Sequence, residues 1–544
     1  MNSKIPILSE RISYFKLVAI FTVIGAIVRF FFSLEVPGIL HPDEHYQCLE
    51  IAHYLLYGYG EISWEWKISA DAPVRSVLYP MQYAVVMQIG EWLQLDYWNG
   101  VLLLTRLWTA FLSIMTIPLI ARLTYLLVPE NMHQKIRENI SILAAFFITF
   151  DPLLVFFSWH TFTNTYVLPF MCISFITLIE EHSDNKKILY AFSGGLFGAY
   201  CFILRPEFVG VYLLFIVVFI TLIRRKNFSV WITGFILGII YNGYIDQLFY
   251  NIPMFQTTLN YINFQFDGSQ RFGTEPFGWY TVRLIVLNPV FFIILSFGFI
   301  YIIYLIIKIF RTNKTNLYSI SLIFHNLFLL RIIQLLVYTI AYLVVWEMIP
   351  HKEERFMFPW YVTTIILISF FAYMLLRNTK GIIETIIKYK IQNRKKINNF
   401  IKKYNTGLLL TILILGFFIQ FGINVSIRNP TPYQEIELAV SYVGHQNDVR
   451  GLIIAFEFPQ YLGTMTYLHQ RDVPVYRITY FPYYPNFTFT VVPKGYNYLI
   501  IPQLYYEKYQ FLIEEFNILG FKLQKTISRE YPVDIWQRQL VIGM

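Results

Sequence analysis

Apolar runs of membrane length, broken by short polar stretches, fill the chain as far as residue 426, and the pattern changes after that. A helix needs about 20 mostly apolar residues to cross the hydrocarbon layer. Runs of this kind lie at 15–34, 101–127, 139–158, 164–180, 188–204, 207–223, 229–247, 281–309, 318–346, 357–376 and 406–426. Residues 76–93 form a shorter, mixed segment, so the pattern predicts eleven to twelve membrane helices. The N-terminal run has no A-x-A cleavage site and is long enough to remain as a first membrane helix.

Residues 427–544 read differently. GLIIAFE at 451–457, VPVYRITYF at 473–481 and YNYLIIPQ at 496–503 have the length and β-branched content of strands. YEKYQFLIEEF at 506–516 has helical spacing. The expectation is an all-α polytopic membrane domain over 1–426, with a first loop at 35–75, followed by a small α/β domain outside the membrane.

Basic loops set the orientation. The strongest lies at 377–404, and RRKN at 224–227 and KIFRTNK at 308–314 agree with it. If these face the cytosol, residues 248–280, 347–356 and 427–544 lie on the opposite side, as does the acidic loop 35–75. This parity holds only if residues 76–97 do not cross, but lie in the interface or re-enter.

Composition supports the membrane reading. The 544 residues are 56% hydrophobic and only 14% charged, against roughly 45–50% and about 25% in soluble domains. That excludes a soluble enzyme, a disordered chain and a collagen-like fibre. The net charge of +9 is carried by membrane loops and forms no patch on a soluble domain, so no nucleic-acid partner is expected. Cys48, Cys172 and Cys201 form no disulfide framework or CxxC metal pattern.

The densest polar sequence follows the first predicted helix: HPDEHYQCLEIAHYLLYGYGEISWEW, residues 41–66. Pro42 suits the first helical position, preceded by His41. Asp43 and Glu44 then fall in the first turn, where the helix dipole favours negative charge. In an α-helix Asp43, Gln47 and Glu50 share one face. The turn reads either as an ordinary acidic N-terminus or as a functional carboxylate site at the membrane boundary. Trp64 and Trp66, flanking Glu65, suit sugar stacking as well as an interfacial belt.

A second cluster, HKEERF at 351–356, gathers His351, Lys352, Glu353, Glu354 and Arg355 between two strong membrane runs. It is either a solvated turn with internal ion pairs or a set of cations that hold a phosphate. Arg75, Arg106, the stretch HTFTN at 160–164, Arg205, Glu207 and Asp246 also interrupt apolar sequence. Walker A, GxGxxG, HExxH, GxSxG and DxD motifs are absent. Their absence weighs against an ATP-driven pump, a dinucleotide enzyme, a zinc protease and a serine hydrolase. A lipid-phosphate enzyme and a polytopic lipid or sugar transporter both fit the remaining pattern.

The pair HPDEHYQ…YGYGEISWEW and HKEERF resembles the GT-C dolichol-phosphate-mannose-dependent α-mannosyltransferases of glycosyltransferase family 22. RSVLYP at 75–80, TRLW at 105–108, HTFTN, RPEF at 205–208, the stretch 246–280 and HQRDVPVYRITYFP at 469–482 follow in the family's order. YGYGEISWEW is most similar to the branch adding the third mannose of the glycosylphosphatidylinositol (GPI) anchor, and VRSVLYP suits the fourth-mannose branch as well. HTFTN departs from the usual pattern, which begins with Arg, at His160.

The resemblance implies a GT-C fold and an endoplasmic-reticulum enzyme with a lumenal site. Its donor would be dolichyl-phosphate-mannose, its acceptor a glycolipid in the membrane, and its reaction an inverting α-1,2 transfer. Alternatives within it are the fourth-mannose enzyme, the N-glycan mannosyltransferases and a bacterial relative. By this resemblance Asp43 is the base that takes the acceptor proton, with Glu44 as its alternate. Arg205, His351, Lys352 and Arg355 balance the donor phosphate, and Glu353, Glu354 and Gln47 orient. Trp64, Glu65 and Trp66 meet the acceptor. No metal or other cofactor is obligatory, and no protein partner is indicated.

Overall fold

Helices dominate the computed structural model, and their ends fall where proline and capping chemistry interrupt apolar sequence. The structure describes residues 5–35, 41–69, 72–180, 186–267, 273–312, 327–390, 415–416, 418–420, 422, 432–455, 464–478, 496–503, 513–514, 517–518, 520–527 and 533–538. Among these, six helices are long and apolar enough to cross a bilayer: Tyr14–Leu34, Tyr97–Leu127, Arg225–Tyr250, Pro289–Ile307, Leu327–Glu347 and Glu354–Leu376. Thr163–Ile179, Ile188–Leu204 and Phe208–Val218 are shorter apolar helices. The chain is therefore a multi-pass membrane protein. Most of the run expected at 406–426, and of the helix expected at 506–516, lies outside the described residues.

Two expected single spans are broken. The run at 139–158 ends as a helix at Phe150, and Asp151 caps the next short helix by accepting from Leu154 N at 2.8 Å. Pro152 follows at its first position. The run at 281–309 divides into Trp279–Leu287 and Pro289–Thr312, because proline cannot continue the helical hydrogen-bond ladder.

The described chain forms two compact units. The first comprises residues 1–30, 110–158 and 163–428. Within it the Glu354–Leu376 helix is a hub, with 83% of its apolar window buried, whereas Pro289–Ile307 buries only 22%. That inverted distribution is expected where lipid replaces water as solvent. The Lys186–Leu204 and Arg225–Tyr250 helices approach so closely that a Cβ at Gly195 would lie 2.0 Å from the Trp231 carbonyl oxygen. Small residues allow this contact, as in other membrane helix pairs. Trp231 then donates its indole N–H to Ser174 Oγ at 3.0 Å.

The second unit comprises residues 31–109, 159–162 and 429–544. Its sheet has the order β2-β1-β3-β5-β4, with β1 Leu452–Ala455, β2 Val475–Ile478, β3 Tyr498–Pro502, β4 Phe521–Ile527 and β5 Val533–Arg538. β1 pairs in parallel with β2 and β3, which are the three expected strands. β5 lies antiparallel to β3 and β4. Every residue of β1 and β3 is buried, as their continuous apolar sequence requires.

The Leu78–Trp92 helix has 15 residues, roughly 22 Å of helix against a ~30 Å hydrocarbon core. Met81, Val85, Ile89 and Trp92 form an exposed apolar stripe, opposite the buried Tyr79, Tyr83 and Met87. Such a helix suits an interfacial position better than a crossing.

Candidate active site

In the second unit, the HPDE turn is built by local capping. His41 Nδ1 accepts from Asp43 N at 3.2 Å, and Glu44 Oε1 accepts from His41 N at 3.2 Å. This is the reciprocal logic of a capping box, with Pro42 at the first helical position. Glu44 Oε2 receives His160 Nδ1 at 2.8 Å and Thr161 N at 3.3 Å. The Glu44 and His160 side chains are each only 3% exposed, whereas that of Asp43 is 26% exposed and lies 3.7 Å from His41 Nδ1. The two adjacent carboxylates thus differ in kind. Glu44 is enclosed by N–H donors, and Asp43 reaches solvent.

The helix then widens. His45–Leu49 is a π turn leading into the α-helix Glu50–Tyr57. The extra residue per turn removes the spacing on which a shared Asp43, Gln47 and Glu50 face rested. Gln47 Nε2 donates to Glu65 Oε1 at 3.2 Å. Glu50 instead accepts from Glu61 N at 2.9 Å and from Thr466 N and Oγ1 at 3.0 and 2.5 Å. Burial pushes the Glu50 carboxyl above its ordinary pKa. These three bonds make it a bracket between two segments.

The acceptor residues inferred from the resemblance separate similarly. Trp64 is 45% exposed, while Trp66 is 5% exposed and donates its indole N–H to Tyr46 O at 2.6 Å. Trp66 is therefore an anchor rather than a stacking face. Glu65 is buried and pairs with Arg75 Nη2 at 3.1 Å, fixing the turn rather than presenting a carboxylate outward.

Three contacts in this unit were not legible in the sequence. His45 Nε2 lies 2.9 Å from Glu437 Oε1 on the Pro432–Gly444 helix. Burial raises the Glu437 carboxyl, against the opposing pull of His45. His53 Nε2 lies 3.0 Å from His469 Nδ1. Burial pushes these imidazoles down to about 3 and about 4, so both are neutral near pH 7. His160 stood out only as a departure from the family's pattern, and its role as the partner of Glu44 carried no sequence signal.

In the first unit, the HKEERF turn follows the Leu327–Glu347 helix. Glu353 bridges two basic side chains: Oε1 is 3.0 Å from His351 Nε2, and Oε2 accepts from Arg355 Nε. The Glu353 hydrogen bond is the largest influence on His351 and raises its pKa, against the opposing effect of burial. Arg205, itself paired with Glu207, stacks 5.1 Å from the Phe356 ring centre, and Arg355 lies 5.6 Å from the same ring. Arg205, His351 and Arg355 are thus gathered around Glu353 and Phe356.

Lys352 and Glu354 also reach residues before the turn. Lys352 Nζ donates to Glu275 O at 2.8 Å. Glu354 lies 3.8 Å from Arg283 Nε. Glu347 accepts from Gly278 N and Thr281 N at 2.9 and 3.0 Å, capping the Trp279–Leu287 helix. The Glu347 bonds tie Gly278 and Thr281 to the end of the Leu327–Glu347 helix, and the Lys352 bond ties Glu275 to the HKEERF turn.

Comparison with known proteins gives this geometry a context. The Alg9-like mannosyltransferase family model matches residues 19–449. "Mannosyltransferase APTG1" of Arabidopsis thaliana is 25% identical over 256 residues, 46% of this chain and 44% of that protein. This chain therefore aligns with less than half of that relative's length. GPI mannosyltransferase 3 of Candida glabrata is 24% identical over 574 aligned residues, covering 88% of this chain and 86% of that protein. Among solved structures, ArnT from Cupriavidus metallidurans bound to undecaprenyl phosphate superposes with a TM-score of 0.54 at 10% identity, covering 95% of this chain and 97% of that one. That likeness establishes the fold, which is GT-C.

Proposed function

The chain belongs to the Alg9-like mannosyltransferase family, and on that basis we propose that it adds the third mannose to a GPI-anchor precursor. The donor is dolichyl-phosphate-mannose, the new linkage is α-1,2, and the reaction takes place at the lumenal face of the endoplasmic-reticulum membrane. The Candida glabrata relative, named GPI mannosyltransferase 3, supports the acceptor. A polyprenyl phosphate bound to a protein of the same fold supports the class of donor.

The chemistry balances without a further reagent. The acceptor hydroxyl attacks the anomeric carbon, the bond to the phosphate oxygen breaks, and the configuration inverts. Dolichyl phosphate leaves with the bonding electron pair, and the hydroxyl proton passes to a carboxylate. One base suffices, unlike the carboxylate pair of a retaining glycosidase.

The observation that carries the site assignment is the contrast between neighbours. Glu44 accepts from His41 N, His160 Nδ1 and Thr161 N, whereas Asp43 keeps a solvent-reaching side chain. Asp43 is therefore the base, and Glu44 holds its turn. Arg205, His351 and Arg355 balance the departing phosphate, since preorganised cations stabilise charge as it develops. Glu353 orients the last two through its hydrogen bonds to them. Lys352 contributes charge while it fixes residue 275. Trp64 offers the exposed aromatic face for the acceptor. The reading requires no metal, because a lipid phosphate is already a competent leaving group.

The test is mannose transfer in membranes expressing the full chain, with labelled dolichyl-phosphate-mannose and a precursor bearing two mannoses. A three-mannose lipid from wild type and none from Asp43→Asn is expected. No product from folded wild type would remove the third-mannose assignment. Product on a three-mannose or an N-glycan precursor instead would reassign the acceptor.

A further inference from the structure

Arg205 lies in the first unit, in a turn between the Lys186–Leu204 and Phe208–Val218 helices, and is buried. Its Nε donates to Glu207 Oε1, and the Phe356 ring centre lies 5.1 Å from its Cζ. Among the described residues its two Nη groups donate to nothing. That terminal edge of the guanidinium fork suits a phosphate. Its direction is set from the other edge, by Glu207. Glu207 in turn accepts from Tyr261 OH at 3.0 Å on Oε2, and its carboxylate has no further hydrogen bond among the described residues.

Tyr261 is buried on the Gln256–Asp267 helix, and the corner that leads into this helix is built to hold one shape. Asn251 ends the Arg225–Tyr250 helix in the left-handed conformation, donating to Gln247 O at 2.9 Å. Phe255 follows with φ of 70°, a region that bulky side chains rarely adopt. Such a conformation persists only where its surroundings over-determine it. Here they do. The Phe255 ring occupies the space a side chain at position 243 would fill, since a Cβ on Gly243 would lie 2.5 Å from it. Just beyond, Thr257 Oγ1 donates to the buried Asp246 Oδ2 at 2.7 Å, and Asn242 Nδ2 donates to the same oxygen at 3.4 Å. Tyr261 sits one turn after Thr257 on the same helix face, so the corner fixes where its hydroxyl lies.

We propose that Tyr261 is a positioning residue for the transfer reaction: through Glu207 it aims the Nη edge of Arg205 at the phosphate of the lipid-phosphate donor. The inference rests on the assignment of Arg205 to that phosphate. A packing role would need only the tyrosine ring, whereas this role needs the hydroxyl.

The test measures binding of dolichyl phosphate to the full-length protein. Tyr261→Phe keeps the ring and removes the hydroxyl. It should unfold at the wild-type temperature and bind dolichyl phosphate about tenfold more weakly, the effect of one hydrogen bond to a charged group. In an Arg205→Gln background the same exchange should weaken binding no further, because its effect runs through the guanidinium. Wild-type affinity in folded Tyr261→Phe, or an equal loss in both backgrounds, would overturn the proposal and leave the role of Arg205 standing. Wild-type affinity in Arg205→Gln would remove the assignment of Arg205, and the proposal with it. A reciprocal measurement needs no variant: by linkage, dolichyl phosphate should slow amide exchange along residues 256–267 of wild type. Unchanged exchange there would overturn the proposal, and this measurement decides the matter if Tyr261→Phe fails to fold.

Discussion

Exchanging each carboxylate of the HPDE turn for its amide should separate chemistry from support. In Glu44→Gln one carboxylate oxygen becomes an NH₂ group. Oε1 accepts from His41 N, and Oε2 accepts from His160 Nδ1 and Thr161 N. Either orientation of the amide therefore sets a donor against a donor. One unsatisfied buried donor costs about 1–3 kcal/mol, and the site is nearly closed to solvent, so water offers little relief. Asp43→Asn falls in a more open setting, where the side chain is 26% exposed. Its side chain reaches solvent, and the bond from its backbone N–H to His41 Nδ1 survives the exchange. A change within about ±0.5 kcal/mol is expected there, together with a ~10²–10⁴-fold loss of transfer, the usual contribution of a general base. The assay pairs unfolding of the purified protein with mannose transfer per folded molecule. The reasoning is refuted if Glu44→Gln unfolds like wild type and is inactive while Asp43→Asn transfers normally. The two carboxylates would then have the opposite roles.

Further outcomes follow from the same contacts. Trp66→Phe should lose about 1 kcal/mol with its bond to Tyr46 O, whereas Trp64→Ala should raise the acceptor KM and leave unfolding unchanged; equal effects from both would contradict the division between anchor and face. His351 should titrate above 6.5, because its bond to Glu353 favours the imidazolium. The associated stabilisation is full below the unfolded pKa and is lost as pH rises through the folded one. Donor binding should weaken across that same rise, and Glu353→Gln should move the midpoint to lower pH; histidine resonances followed by NMR would report an unmoved midpoint if the coupling is absent. Gly195→Val should place a branched side chain against the Trp231 carbonyl and cost at least about 1–3 kcal/mol, read as a lower unfolding temperature.

Local chemistry made part of the site legible in advance. His41, Pro42 and Glu44 form their cap from residues three positions apart, so capping rules apply without knowledge of the fold. β1, β2 and β3 were equally visible as short β-branched runs. β4 and β5 were not, because FKLQKTI and VDIWQR mix charged and apolar positions, and Asp534 is buried in β5 by bonds from Thr526 and Gln503. The π turn at 45–49 escaped a reading that assumes helical spacing.

The sequence by itself determined that the chain lives in a membrane, since the bilayer imposes a length and polarity on each span that no other environment requires. It also determined where the charged turns must interrupt those spans. Only the tertiary structure decided what the turns hold. Glu44 meets His160 across 116 positions, His45 meets Glu437 across 392, and Glu50 meets Thr466 across 416. Residue type sets what each group is able to bond, but the partner that reaches it depends on how distant segments pack, and single-chain periodicity carries no record of that.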